Sequence, residues 1–340
     1  MRKSSVQDEE KASLLQETDN DIAAARIQEG GSASNVLIAG VLYILTSSSL
    51  ILFNKHALAS FEFTCPNALL CFHCMLAVLL VKTAEMLGFI QLEPIRWSIV
   101  KIWMPVNLIF VAMVMTGYVA LQGIGIGIFT VLKNLANVFI ILGDWWFFSK
   151  TYSAMVWTSL GLMILSAAAG AYHDAVFDPV AYAWQLLNCV LTAAYALYLS
   201  STMERVAPYT SNTGRLSEFS MVYYNNLLSI GPVMLLMAVF GEFKKLPQQE
   251  ALQNTEFVIV AVVGGFLGFG ISFSSLWYVS QSSATIFGLT GSLNKILVAV
   301  SGILIFREPT SPQSLISIAI GLAAGVVFAF AKAMPKSDKR

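Results

Sequence analysis

Ten long apolar runs, each about the length that crosses a bilayer, restrict the fold of this sequence more than any other feature. The hydrocarbon core of a membrane takes about 20 apolar residues as a helix, whereas a membrane β-barrel shows alternating segments of about ten residues. These runs are continuous and rich in Leu, Ile, Val, Ala and Gly. They cover residues 36–53, 68–88, 99–121, 126–147, 154–172, 180–202, 219–240, 256–281, 284–306 and 312–333. The sequence therefore predicts an all-α polytopic membrane protein with ten transmembrane helices.

Charge is too scarce for a soluble enzyme or a nucleic-acid-binding protein. Only 12% of the 340 residues are charged and 56% are hydrophobic, whereas a soluble domain carries roughly 25% charged residues. Nucleic-acid binding would need a basic face, and a disordered chain would be poor in apolar residues. The surface is therefore expected to face a lipid bilayer.

The two ends of the chain differ from the apolar region between them. Residues 1–35 hold seven acids against four bases and no long apolar run, which predicts a disordered cytosolic tail and no cleavable signal peptide. Residues 334–340 form a short basic tail, and residues 36–333 form the membrane domain. Three residues of the first tail also fit an acidic dileucine sorting address: Glu10, Leu14 and Leu15. Ordinary tail sequence is the favoured interpretation of them.

The distribution of Lys and Arg predicts that both termini lie in the cytosol. With the N-terminus placed there, eleven near-membrane bases lie on the cytosolic face and four on the opposite face. Positive charge accumulates in the cytosolic loops of membrane proteins. An even number of spans returns the C-terminus to the same side.

Two lysines stand inside predicted spans, where a charge is costly and by default indicates function. Lys133 lies in the fourth span and Lys295 in the ninth, and neither has an acid within one helical turn in sequence. The nearest acid to Lys133 is Asp144, about 16 Å further along a helix and so near the membrane edge. The alternative is that each lysine is neutral or extends its ammonium group to an interface. The presence of two lysines in comparable places weakens this alternative.

The places of the two lysines indicate an internal repeat. Residues 132–134 (Leu-Lys-Asn) and 293–295 (Leu-Asn-Lys) each lie in the fourth span of a five-span half. Halves of five spans, about residues 36–172 and 180–333, must enter the membrane in opposite senses. This predicts two inverted five-helix repeats with the substrate site near the midplane between them.

The residues near the predicted midplane favour a nucleotide-like anion. Two ammonium groups without nearby acids suit a diphosphate, since lysine is a good point-charge ligand for phosphate. Asn225 and Asn226 in span seven place two amides side by side, and each offers a donor and an acceptor to a nucleobase edge. Bonds between membrane helices are the other use of such amides. Phe129 and Phe287 lie on the helix faces of the two lysines, where rings can pack on a sugar or base.

Neither a metal site nor an enzyme is the favoured interpretation, and no cofactor is expected. Cys71 and Cys74 share a helix face, but His73 between them points elsewhere, and cysteine is a common buried residue. An intramembrane enzyme would need positioned acids, bases or a metal. His56, His73 and His173 fall near predicted span ends, and no deep carboxylate is evident. A structural scaffold would leave the two lysines unexplained.

At these residues the sequence resembles the Golgi GDP-mannose transporters, nucleotide-sugar transporters of the drug/metabolite transporter superfamily. That family carries a Phe-Tyr-Asn-Asn motif, matched here by residues 223–226 (Tyr-Tyr-Asn-Asn), and a Gly-Ala-Leu-Asn-Lys motif, matched by residues 291–295 (Gly-Ser-Leu-Asn-Lys). The resemblance covers about residues 36–333. It is nearest to the plant members through residues 101–107 and 181–185.

The resemblance implies an antiporter, not an enzyme, that imports GDP-mannose from the cytosol into the Golgi lumen in exchange for GMP by alternating access. The first motif recognises guanine and the second contacts the nucleotide-sugar, with the span-four lysine as a further contact. Alignment outward from the motifs adds the nucleotide contacts Tyr43 and Ser272. The candidate substrate-binding residues are Tyr43, Phe129, Lys133, Tyr224, Asn225, Asn226, Ser272, Phe287, Gly291, Ser292, Asn294 and Lys295.

Four positions depart from the family pattern. Tyr223 replaces the motif Phe, Ser292 replaces its Ala, and Phe129 and Phe287 stand where yeast-type members have Tyr. Two hydroxyls are lost near the sugar, so GDP-fucose, GDP-glucose or GDP-galactose is an open choice beside GDP-mannose. The alternative function is a carrier of UDP-sugars or phosphorylated sugars, against which the Asn pair argues. Small residues of span ten, such as Gly321, fit either a homodimer face or packing within the bundle.

Overall fold

Helices account for most of the residues that the computed structural model describes, which are 33–174, 176–211, 216–281 and 284–333. The helices of this part of the chain are α1 (Ala33–Lys55), α2 (Pro66–Met86), α3 (Trp97–Gly123), α4 (Ile126–Lys133), α5 (Leu135–Phe148), α6 (Ala154–Tyr172), α7 (Pro179–Val206), α8 (Glu218–Val239), α9 (Glu242–Lys245), α10 (Thr255–Gln281), α11 (Ala284–Phe306) and α12 (Pro312–Ala333). A π-helical turn, His56–Ser60, extends α1. The dileucine pattern, the basic C-terminal tail and all but the last three residues of the predicted acidic tail lie outside the described residues.

Among the described residues, nine segments are long and apolar enough to cross a membrane. One of them, Ile126–Phe147, comprises both α4 and α5. The remaining predicted span, 284–306, coincides with α11. The apolar segment of α11, Thr290–Phe306, is shorter than the nine others. The chain is therefore an all-helical, multi-pass membrane protein, as the sequence predicts, while the crossing by α11 stays a prediction.

Two helix starts have local side-chain caps. Asp178 accepts a hydrogen bond from Val180 N, and Pro179 occupies the first helical position of α7. Ser217 accepts one from Ser220 N at the start of α8. Such caps satisfy backbone N–H groups that have no partner within the helix. The turn signals between the apolar runs therefore mark where these two spans begin.

The fourth span is interrupted near its middle, where the sequence predicts a continuous helix. α4 ends at Lys133 and α5 begins at Leu135. At the break, Asn134 N donates to Val131 O at 3.0 Å and Asn137 N donates to Asn134 O at 3.0 Å, so the turn is tighter than α-helical. Asn134 keeps right-handed helical backbone angles (φ −65°, ψ −23°), so α4 continues into α5 through this one turn.

The set of packed span pairs stays the same when each span is replaced by the one five further along the chain, counting round from the tenth span to the first. The third span packs on the sixth (α3 on α7), and the eighth packs on the first (α10 on α1). The second packs on the seventh (α2 on α8) and the fifth on the tenth (α6 on α12), and each of these pairs is its own counterpart. This is the pairing that two related five-helix halves would make. It supports the predicted inverted repeat.

Small residues of α12 face the interior of the bundle. A side chain at Gly321 would collide with Ser166 of α6 and Val131 of α4. One at Gly325 would come within 3.2 Å of the Asn134 amide. Close packing inside the bundle therefore accounts for both glycines, which removes them as an argument for a homodimer face.

Candidate functional site

A cavity of about 270 Å³ lies among α3, α7, α8 and α10. It brings together three of the predicted site residues, Asn225 and Asn226 of α8 and Ser272 of α10. The full lining is Trp103, Phe110, Tyr195, Leu199, Met221, Val222, Asn225, Asn226, Ser272 and Ser275. Aromatic rings and a few polar groups in one concave site are the usual composition of a ligand pocket. We call this site the amide cavity.

The amide of Asn225 is held between two aromatic side chains. Its Oδ1 accepts a hydrogen bond from Trp103 Nε1 at 2.7 Å, and its Nδ2 donates to the Tyr195 hydroxyl at 3.3 Å. Asn107 Nδ2 also donates to the backbone oxygen of Asn225 at 2.9 Å. Asn225 is therefore fixed in position by α3 and α7.

The other polar groups of the amide cavity have donated hydrogen bonds to their own helices. Asn226 Nδ2 donates to Val222 O at 2.8 Å. Ser272 Oγ donates to Gly268 O at 3.1 Å, and Ser275 Oγ donates to Ile271 O at 2.5 Å. Because each hydroxyl has one hydrogen and this hydrogen is used, the serine oxygens can act only as acceptors toward a ligand.

Tyr224 does not reach the amide cavity, although it belongs to the same motif. It is fully buried and is absent from the cavity lining. Its hydroxyl donates to Pro94 O at 2.7 Å and accepts from Arg96 N at 3.2 Å. In this structure Tyr224 therefore anchors α8 to the connection between α2 and α3.

Both predicted lysines lie where the fourth and ninth spans pack together. Lys295 Nζ donates to Asn134 Oδ1 at 2.6 Å, and Asn134 Nδ2 donates onward to Gly321 O at 3.1 Å. Lys133 Nζ lies 5.7 Å from the ring centroid of Phe129. Among the described residues, neither lysine makes a salt bridge with a carboxylate. We call Lys133, Asn134 and Lys295 the lysine centre.

Residues of the second motif contact α1. Asn294 Nδ2 donates to Ser47 Oγ at 2.8 Å, and Ser48 Oγ donates to Asn294 Oδ1 at 2.5 Å. An added Cβ at Gly291 would lie 3.5 Å from the Tyr43 hydroxyl, and Ser292 is half-buried. The motif therefore forms the contact between the first and ninth spans.

The predicted aromatic residues separate into two environments. The Phe287 ring lies 4.9 Å from that of Tyr43 and 6.0 Å from that of Tyr278. The Tyr278 hydroxyl is 2.8 Å from Thr290 Oγ1. Phe129, by contrast, is only 5% exposed and belongs to the packed core around α4. In this structure Tyr43 and Phe287 thus form one aromatic cluster, and Phe129 supports the lysine centre from the core.

A second cavity, of about 300 Å³, lies at the ends of α1, α3 and α11 and the start of α4. Glu308 caps α4 there, with Oε1 accepting from Ile126 N at 2.7 Å. Lys55 is only 8% exposed and donates to the last carbonyls of α3, Leu121 O at 2.8 Å and Ile124 O at 2.7 Å. From the sequence, Lys55 was only one of the four near-membrane bases opposite the cytosol, and Glu308 was only part of a turn signal with Pro309.

Sequence reasoning also missed Trp103, Tyr195 and Asn134. Trp103 and Tyr195 lie in apolar runs, where an aromatic residue is most often core. Asn134 directly follows Lys133, and its proximity to Lys295 depends on how α11 packs against α4. Asn134 could have been predicted as a site residue, because a polar amide in the middle of a span is costly and often functional.

The cysteine and histidine cluster of α2 is a packing feature. No group of three or more His, Cys, Asp or Glu side chains within the described ranges could hold a metal ion. His73 Nδ1 lies 3.1 Å from the Tyr118 hydroxyl, and Nε2 lies 3.0 Å from Ala261 O. His73 therefore joins α2 to α3 and α10.

Comparison with known proteins places the whole membrane region in one group. The Triose-phosphate Transporter family matches residues 34–329. The protein named GDP-mannose transporter GONST1 of Arabidopsis thaliana is 42% identical, with 89% of this chain and 91% of the relative covered. GDP-mannose transporter GONST2 of the same plant is 38% identical over 88% of this chain and 80% of the relative. A GDP-mannose transporter of Komagataella pastoris is 30% identical over 87% and 90%. One solved structure aligns with a TM-score of 0.55 at 14% identity, over 89% of this chain and 99% of that one.

Proposed function

The chain belongs to the Triose-phosphate Transporter family, and on that premise we propose that it carries GDP-mannose into the Golgi lumen in exchange for GMP. It is a membrane transporter and not an enzyme. The plant and yeast relatives named as GDP-mannose transporters support the choice of substrate. The plant-like resemblance of the sequence agrees with the two Arabidopsis relatives.

The acceptor-rich amide cavity is the observation that carries the guanine assignment. Toward a ligand it offers the oxygens of Asn226, Ser272 and Ser275 against the remaining amide hydrogens of the two asparagines. The Watson–Crick edge of guanine carries N1–H and the N2 amine, which are donors, beside the acceptor O6. Uracil has a single N–H on that edge. Guanine therefore satisfies more of the cavity's acceptors than uracil does.

The lysine centre suits the phosphates of the same ligand. A diphosphate brings more than one negative charge to Lys133 and Lys295, which have no carboxylate partner among the described residues. An anion would compensate charges that are costly inside a membrane. We expect the loaded carrier to cross more easily than the empty one, and this would enforce exchange.

The proposed orientation follows from the charge distribution. With both termini in the cytosol, Trp103 and Asn225 lie about two helical turns from the cytosolic ends of α3 and α8. The cavity lined by Glu308 then lies on the luminal side. The span pairs pack as two related five-helix halves would, and this supports alternating access by rocking of one half against the other.

Exchange in proteoliposomes tests this function. We expect uptake of labelled GDP-mannose into vesicles preloaded with GMP, and little uptake into empty vesicles or vesicles preloaded with UMP. GDP-fucose, GDP-glucose and GDP-galactose as competitors define the sugar range, and UDP-sugars test the alternative carrier. No GMP-driven uptake of any GDP-sugar by folded protein would refute the proposal.

A further inference from the structure

We infer that Trp103 and Tyr195 are positioning residues that make Asn225 present an N–H group, and not its oxygen, to the nucleobase. The inference rests on the proposed function, since it assigns the base-reading chemistry of the amide cavity. It goes further by giving each asparagine a different role and by adding two residues from α3 and α7.

Trp103 determines which way the Asn225 amide faces. An indole N–H can only donate a hydrogen bond, so the Asn225 atom 2.7 Å from Trp103 Nε1 must be the oxygen. Trp103 is fully buried. Asn107 holds the backbone oxygen of Asn225 from the same helix. The side-chain oxygen of Asn225 is therefore directed at Trp103.

Tyr195 completes the orientation from the other side. Its hydroxyl accepts one hydrogen of Asn225 Nδ2 at 3.3 Å. The amide nitrogen carries two hydrogens, and the second one stays available. Tyr195 and Asn225 both line the cavity, so this hydrogen is the group that Asn225 offers to a ligand.

Asn226 has the opposite orientation. Its Nδ2 donates to Val222 O at 2.8 Å, and a backbone carbonyl can only accept. Its Oδ1 therefore points away from the helix and is the acceptor for a ligand. The two neighbouring amides offer a donor from Asn225 beside an acceptor from Asn226.

This order of donor and acceptor selects among the nucleobases. Guanine places the acceptor O6 beside the donor N1–H, which matches Asn225 and Asn226. Adenine places the donor N6–H₂ beside the acceptor N1, so both contacts would be reversed. Uracil matches the pair through O4 and N3–H but lacks a second donor for Ser272 or Ser275. Each hydrogen bond that a base fails to make weakens its binding by about twofold to tenfold.

The test uses Trp103→Phe, which keeps an aromatic ring and removes the indole N–H. The matched control is Trp97→Phe, since Trp97 lies at the exposed start of α3 and is 68% exposed. Inhibition of GDP-mannose exchange by GMP, AMP and UMP is measured for each variant. We expect Trp103→Phe to weaken GMP inhibition about tenfold and to leave AMP inhibition unchanged or stronger. The control should match the wild type.

Coupling to Asn225 separates positioning from general damage. If Trp103 acts through the amide, Trp103→Phe should add nothing to the loss of GMP inhibition already caused by Asn225→Ala. Tyr195→Phe should weaken GMP inhibition by a few-fold, and it carries the test if Trp103→Phe does not fold.

Two outcomes would overturn the inference: equal loss of inhibition by all nucleotides, or additive losses in the double variant. Both require an active wild type. A wild type without GDP-sugar exchange would instead refute the proposed function.

Discussion

Removing the Lys295 ammonium group should weaken the binding of phosphorylated ligands and leave guanosine binding unchanged. In this structure Lys295 Nζ donates to Asn134 Oδ1 at 2.6 Å and has no carboxylate partner among the described residues. The variant Lys295→Ala therefore removes a charge without leaving a buried acid unpaired. Asn134 keeps its bond to Gly321 O, so the helix break should persist.

The size of the effect follows from what Lys295 exchanges when it binds phosphate. A hydrogen bond to a charged group contributes roughly 1.5–3 kcal/mol, which corresponds to about tenfold to 150-fold in affinity. The wild-type ammonium must first release Asn134, so the net loss lies at the lower end, about tenfold to thirtyfold. Lys295→Arg keeps the charge but changes the donor geometry, and should lose less.

The assay is equilibrium binding of GDP-mannose, GMP and guanosine to purified protein, with exchange in proteoliposomes as the functional measurement. Lys332→Ala is the matched control, because Lys332 lies in the last turn of α12 and lines neither of the two cavities described. An equal loss for guanosine and GDP-mannose would show that the variant damages the fold or the base site. Unchanged binding of all three would refute the assignment of phosphate to the lysine centre.

Three further predictions concern other parts of the chain. Asn226→Ala should weaken GMP inhibition of exchange about tenfold with little effect on AMP, whose ring does not present a donor to the Asn226 oxygen, and an equal loss for both would contradict its role as the guanine acceptor. Glu308→Gln should lower the free energy of unfolding by about 1 kcal/mol, because it removes the charge that caps α4 at Ile126 N; an unchanged thermal unfolding temperature would show that the cap contributes nothing. Burial and the Asp144 carboxylate raise the pKa of Tyr152 above its ordinary value, so its contribution to stability is full below about pH 10 and is lost as the pH rises further. Unfolding temperatures of wild type and Tyr152→Phe should therefore converge at alkaline pH, and a constant difference would be inconsistent with that titration.

The spans could be predicted because membrane insertion depends on local composition. Each run needs only its own apolar residues to satisfy the bilayer, so the helices of the structure lie within a few residues of the predicted bounds. The helix break at Asn134 was not predictable in this way. Residues 132–134 contain no Pro or Gly, and the contacts that hold Asn134 come from Lys295 and Gly321, far along the chain.

The candidate site could be predicted in type more readily than in arrangement. An Asn or Lys within an apolar run is visible without structure because its burial is costly. The partner of each polar group depends on which helices pack together, so the roles of Trp103 and Tyr195 were hidden. Tyr224 was predicted to be a site residue because it belongs to the motif. In the structure its hydroxyl donates to Pro94 O, a contact that the motif does not reveal.

The contacts of Lys295 also offer a link between binding and the proposed movement of the two halves. Asn134 joins Lys295 of α11 to the backbone of α12 at Gly321, and it stands at the break between α4 and α5. A phosphate that binds Lys295 would replace the Lys295–Asn134 hydrogen bond and leave the Asn134–Gly321 hydrogen bond intact. A ligand can shift a conformational equilibrium only through a difference in its contacts between the two states. We therefore expect phosphate to replace Asn134 as the partner of Lys295. The fourth and ninth spans should then separate only when the charge of Lys295 is compensated.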